Sequence, residues 1–275
     1  MSILLLLVPL FATHSIAIAA TNVPNSLLNQ KGVILIEGEL PKVRREINKN
    51  GIHIKETHEV NQVKEGTNSL VTIDMRWPIV MALPQKAAAE KINGAMAEMK
   101  AAVNRQIEEV KQAARDDLSA RTQKERQDWN GYSYSQDYSI ERADQALISF
   151  WFLRSQYTGG AHQSNNRMGV TYDSKTGKQL FLEDITTDWD KFQSFVLEYL
   201  LRLSSQKQYQ DYWFSDYASH LGEILTEDTW YFSDQGLVII ANPYHIAPYA
   251  AGIIQFVIPY EDLEYIKPEY LSETD

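Results

Sequence analysis

The stretch from Pro84 to about Leu118 constrains the fold most. Ile92, Met96, Met99, Val103, Ile107, Val110 and Ala114 recur at spacings of three and four, which lines them up along one side of an α-helix. The other faces carry Lys91, Glu98, Lys100, Arg105, Glu108, Glu109 and Lys111, so the rod has one apolar stripe and a solvated back. Met96 and Met99 sit at core spacing and read as filler. This helix is scaffold, and its stripe needs a broad apolar partner.

Strand-like runs on both sides supply that partner. Ile52 to Val63 and Ser69 to Val80 precede the helix, and in the second Val71, Ile73, Met75 and Trp77 alternate with Leu70, Thr72, Asp74 and Arg76, predicting a buried odd-numbered face. After a polar link, Tyr132 to Glu141, Gln145 to Tyr157 and Asn166 to Tyr172 read as strands, the last joined to Gln179–Leu182 through a turn at Asp173–Gly177. Phe150, Trp151, Phe152 and Leu153 stand side by side, as in a central strand covered on both faces. Thr187 and Asp188 cap a second helix with Phe192, Phe195, Val196, Tyr199, Leu200 and Leu203 as its stripe. A shorter helix is predicted over Trp213 to Leu225, then a strand at Thr229 to Ser233 and a final pair, Gly236 to Ala241 and Ile253 to Tyr260. Strict strand and helix alternation is missing. The fold class expected is α+β, a mainly antiparallel sheet with one long helix and a pair of shorter helices packed on it.

The N-terminus reads as an export signal. The first twenty residues contain no acid, Lys or Arg, Ile3 to Ala12 is apolar, and Ala17-Ile-Ala19 is a small-residue cleavage pattern. The expected organisation is a signal peptide over 1–19, a leader over 20–49, an N-terminal half over 50–166 and a C-terminal half over 167–270. Ten apolar residues are too few for a membrane span, which needs about 20, so a periplasmic or secreted chain with no stable membrane span is expected. The basic patch at Lys42, Arg44, Arg45 and Lys49 is read as solvent-facing. Zero cysteines exclude disulfides, thiolate metal sites and a cysteine nucleophile. The net charge of −10 argues against nucleic acid and suits a basic partner.

Two stretches carry candidate chemistry. Tyr157-Thr-Gly-Gly-Ala-His162 ends the central strand; Gly159 and Gly160 permit positive φ, and His162 follows at the lip of the turn. The imidazole either satisfies a backbone carbonyl at a tight corner or faces a cleft with Tyr157. Asn242-Pro-Tyr-His-Ile-Ala-Pro-Tyr-Ala-Ala-Gly252 is stiffened by two prolines. Its Tyr244 and Tyr249 either stack on a sugar or partner surface or plug the end of the core, with Asn242, His245 and Pro248 beside them. Gly-x-Ser-x-Gly and phosphate-binding glycine loops are absent. No His-x-x-x-His pair occurs, and His53 and His58, five apart on a strand, fall on opposite faces. No metal or other cofactor is expected, a composite site of His162, His245 and a carboxylate being the alternative.

Tyr157–His162, the Asp173–Lys178 turn leading to Leu180–Asp184, and Gly236–Gly252 together resemble the extracytoplasmic domain of RsiV-like anti-sigma factors. A similar domain lies on the N-terminal side of PdaC-like polysaccharide deacetylases. The resemblance covers roughly Asn50 to Tyr265, with the N-terminal half PdaC-like and the C-terminal half RsiV-like in a ββααβββ order. It implies a cell-envelope domain and, in the anti-sigma branch, sensing of lysozyme. The chain shows no sigma-binding segment ahead of its apolar run and no deacetylase metal-ligand series, so it is expected to be a stand-alone, non-enzymatic copy. Its expected partner is a basic muramidase or a cell-wall glycan. The rival reading is an envelope hydrolase that uses His162 with a carboxylate.

Overall fold

A computed structural model of the chain describes residues 33–35 and 43–271. The expected signal peptide and most of the expected leader lie outside the described residues. The strands are β1 (Val33–Leu35), β2 (Ile47–Lys49), β3 (Ile52–Glu65), β4 (Asn68–Ala82), β5 (Tyr132–Ala143), β6 (Leu147–Tyr157), β7 (Ser164–Asp173), β8 (Gln179–Leu180), β9 (Trp230–Phe232), β10 (Gly236–Ala241) and β11 (Ile254–Pro259). The helices are α1 (Lys86–Ala120), α2 (Gln123–Gln127), α3 (Leu182–Ile185), α4 (Trp189–Ser204) and α5 (Tyr217–His220).

Strands β2 to β8 form a seven-stranded sheet in sequence order, and β1-β11-β10-β9 form a four-stranded one. The fold is α+β and mainly antiparallel, as the grouping of elements predicts. One pair departs from that rule: β4 and β5 are parallel, with Val71 opposite Tyr132 and Met75 opposite Gln136. Parallel neighbours need a long crossover, and α1 is that crossover.

The layers follow from which faces are apolar. Against one face of the large sheet, Ile92, Met96, Val103, Ile107 and Val110 of α1 pack on Val71, Ile73, Met75 and Trp77 of β4, each buried side chain contributing about 1.5–3 kcal/mol relative to exposure. Against the other face, Trp151 of β6 packs on Tyr231, Val238, Ile240 and Val257 of the small sheet. Leu237, Ile239 and Phe256 point the opposite way, toward Phe192, Val196 and Leu200 of α4. The small sheet is thus covered on both faces, which is why β10 reads as an unbroken apolar run rather than an alternating one.

Three local expectations are corrected. The helix expected over Trp213 to Leu225 is broken into α5 and 3-10 turns, because the Phe214 N–H donates to the Ile246 carbonyl at 3.0 Å and leaves the helical ladder. The strand from Gln179 stops at Leu180, and Leu182 already begins α3. Arg44 and Arg45 are clamps rather than a free basic surface. Arg44 donates through Nε and Nη2 to the Ile140 and Glu141 carbonyls, both at 2.8 Å, and Arg45 reaches Asp137 at 2.7 Å and Glu56 at 3.0 Å. The expected division at residue 166 falls inside β7, a strand of the same sheet as β2 to β6.

The layer between the sheets also holds polar groups. Glu141 is 8% exposed there, and burial pushes its carboxyl up, against the opposing pull of Ser139 and Arg44. The folded chain therefore holds this proton more tightly than the unfolded chain does. The resulting stability is complete below the ordinary carboxyl range and is lost as pH rises through the raised value. Glu141→Gln is expected to flatten the fall in melting temperature as pH rises above about 4.3, the ordinary Glu value. Parallel melting curves for parent and variant across that window would show that Glu141 is not the group responsible.

Candidate functional site

The two stretches singled out in the sequence meet. The β6–β7 hairpin pairs Gln156 with Ser164, so the turn carrying Gly159 and His162 projects from its tip. Gly159 takes φ +87, a left-handed conformation open to glycine at little cost. The loop between β10 and β11 reaches the same place, and the imidazole of His162 stacks on the ring of Tyr249 with centroids 3.7 Å apart and an interplanar angle of 17°. Such a pair contributes about 0.5–1.5 kcal/mol beyond its buried area.

Hydrogen bonds fix the pair. Tyr249 donates its hydroxyl to the Gln163 carbonyl at 2.8 Å, and Asn165 Nδ2 donates to the Tyr249 hydroxyl at 3.4 Å. His162 Nδ1 lies 2.9 Å from the same Gln163 carbonyl, while Nε2 lies 3.3 Å from the Tyr244 hydroxyl. Tyr244 is 59% exposed and takes φ +71, a backbone state that costs a non-glycine residue about 1 kcal/mol or more. A turn in which the Tyr244 N–H donates to the Ala247 carbonyl at 3.0 Å holds it there, and buried Ile246 and Ala247 anchor that turn in the core.

The other expected site residues divide. His245 and Pro248 are exposed on the same loop, Pro248 leading into the 3-10 turn Tyr249–Ala251. A Cβ at Gly160 would meet the His162 carbonyl oxygen at 3.8 Å, an ordinary contact, so the backbone there does not require glycine for space. Tyr157 is half-buried opposite Ser133 at the end of β6; the ring that His162 meets is Tyr249, and of the two alternatives its imidazole takes the backbone carbonyl, that of Gln163, rather than a cleft with Tyr157. Asn242 is 6% exposed and works as a bracket rather than a surface contact. Its Oδ1 accepts from the Arg167 N–H at 2.7 Å and its Nδ2 donates to the Arg167 carbonyl at 2.9 Å. Gln163 and Asn165 were not among the expected residues. Alternation along β7 was the available signal for Asn165, which shares a strand face with Arg167; Gln163 precedes the strand and acts through its backbone carbonyl, which no side-chain pattern marks.

The hydrolase reading requires a carboxylate within hydrogen-bond reach of His162. Among the described residues the imidazole's hydrogen-bond partners are a carbonyl and a phenol. No group of three or more His, Asp or Glu among the described residues is placed to hold a metal. No helix among them is long and apolar enough to cross a membrane.

Fold and site together define an α+β domain whose two sheets present a stacked His and Tyr pair beside an outward tyrosine. The chain belongs to the DUF3298 family, described as a protein of unknown function, whose match spans residues 89–261. Two crystal structures of family members share the fold. One, from Bacteroides fragilis, has 17% sequence identity and a TM-score of 0.59, covering 78% of this chain and 94% of that one. The other, from Pseudomonas aeruginosa PAO1, has 18% identity and a TM-score of 0.51, covering 80% and 96%. No curated protein matches the chain.

Proposed function

We propose that the protein is a non-enzymatic, periplasmic or secreted domain that binds a cell-envelope ligand on the surface made by Tyr244, His162 and Tyr249. The observation that carries this reading is convergence. Two loops about eighty residues apart in sequence build one aromatic surface, and Tyr244 is held outward in a left-handed backbone state. A core plug would turn that ring inward. A phenol on a stiff loop gives contact area at low entropy cost, which suits a sugar face or a protein hot spot. The resemblance to lysozyme-sensing domains and the net charge of −10 favour a basic muramidase as the protein ligand, with a peptidoglycan fragment as the glycan alternative.

Calorimetric titration of the chain with a basic lysozyme and with a peptidoglycan fragment, each at low and raised salt, tests this. Saturable binding to one of them that persists at raised salt is expected. Tyr244→Ala should weaken it by about thirtyfold, a hot-spot loss near 2 kcal/mol, with little change in melting temperature because the ring is mostly exposed. An unchanged affinity in that variant, or attraction that disappears with salt for both ligands, would remove the proposal.

A further inference from the structure

The opposite face of the β6–β7 hairpin borders a second feature. Arg154 pairs with Asn166 and Gln156 with Ser164, so these side chains share the face toward α1. There they line a cleft of about 500 Å³ with Gln106 and Glu109 of α1, Tyr134 of β5 and Asp228. That volume lies in the range that encloses small ligands.

Arg154 is the fixed point of the cleft. It is half-buried, and burial works against its charge. Its Nε donates to Gln136 Oε1 at 3.0 Å, and Gln136 is itself pinned, donating through Nε2 to the Arg76 carbonyl at 3.3 Å. Among the described residues the terminal amino groups of Arg154 make no hydrogen bond and no ion pair within the protein. Asp228 is near enough to favour the guanidinium charge, yet its carboxylate accepts instead from Thr226 Oγ1 at 2.9 Å. A guanidinium immobilised through Nε presents its remaining donors as a planar fork, which matches a carboxylate. Glu109 and Asp228 would repel a simple anion in the same space and attract a cation.

We infer that this cleft binds a small zwitterion, an amino acid or short peptide with both ends free, its carboxylate on Arg154 and its ammonium against Glu109 and Asp228. Gln106, Gln156, Ser164 and Asn166 supply hydrogen-bonding groups for the atoms between the two charges. The site is independent of the aromatic surface, because alternate residues of the same hairpin face the two ways.

Calorimetric titration of the full chain with alanyl-alanine, N-acetyl-alanyl-alanine and alanyl-alanine amide tests the assignment. The free dipeptide should bind saturably and each blocked form at least about tenfold more weakly, the loss of one charge-assisted contact. Arg154→Gln should abolish binding of the free dipeptide. Glu109→Gln changes an exposed residue, so the fold should tolerate it with little change in melting temperature. It should weaken the free dipeptide about tenfold and leave the acetylated form unchanged, since that form has no ammonium to lose. Absence of saturable dipeptide binding, equal affinity for all three probes, or unaltered binding by Glu109→Gln would each overturn the inference.

Discussion

Gly169→Ala is expected to lower the melting temperature by about 6–12 °C, corresponding to about 3 kcal/mol at roughly 2–4 °C per kcal/mol for a domain of this size. Gly169 lies on β7 where the large sheet meets β9 of the small one, and its N–H donates to the Asp228 carbonyl at 2.7 Å. A Cβ there would stand 1.8 Å from the Trp230 carbonyl oxygen and 2.4 Å from its carbon. Both atoms are backbone, so no side chain can rotate away. Relief requires the sheets to separate, which unpacks Trp151 from Tyr231 and Val238. Gly94→Ala supplies the internal contrast: Gly94 is exposed on α1 with open space at its Cβ, and alanine there should stabilise by about 0.5–1 kcal/mol. Thermal melts of both variants decide the matter. A Gly169→Ala melt within a degree or two of the parent would mean that the sheets do not approach as described.

The same contact marks where sequence reading stops. Period 3.6 persists through α1 and period 2 through β4, and both elements fold with the expected faces buried, Val71, Ile73, Met75 and Trp77 against Ile92 and Met96. Those periods report which face is apolar and nothing about which element covers it. So the parallel pairing of β4 with β5 was not legible, because a long helix between two strands also fits strands that never pair. The second sheet was hidden for a related reason. Phe150, Trp151, Phe152 and Leu153 signalled cover on both faces, but both covers are apolar, and a sequence cannot tell a helix from a sheet as the partner. Buried polar residues were not legible either. Arg167 is 2% exposed with its guanidinium over the Trp151 ring, 4.4 Å from the centroid, although an arginine on a strand ordinarily reads as solvent-facing. At the site, residue types pointed to His162, Tyr244 and Tyr249, whereas their mutual contact depended on long-range pairing that brings β7 beside the β10–β11 connection.

Asn242→Ala is expected to cost about 2–6 kcal/mol and to loosen the aromatic surface with it. The side chain of Asn242 mimics a strand neighbour, accepting from the N–H and donating to the carbonyl of Arg167. Alanine removes both contacts at once and leaves two buried backbone groups unpaired, each costing about 1–3 kcal/mol. The loop that begins at Asn242 is then held through Phe214 and the Tyr249 contacts, so any ligand affinity of the Tyr244 surface should fall together with stability. Asn242→Asp separates this bracket from a loss of volume. A carboxylate can still accept from the Arg167 N–H, but it faces the Arg167 carbonyl with a lone pair where the amide had a donor. The variant is therefore destabilised near neutral pH. Protonation restores a donor, and because the folded chain then binds that proton more tightly than the unfolded chain, its deficit relative to the parent should shrink as pH falls through the carboxyl range. Melts of parent, Asn242→Ala and Asn242→Asp over that range give the answer. Recovery of the Asp variant on acidification, with no matching recovery of the Ala variant, is the signature of a two-way hydrogen bond. Equal deficits at every pH would assign the loss to packing and release Asn242 from its role in fixing the loop.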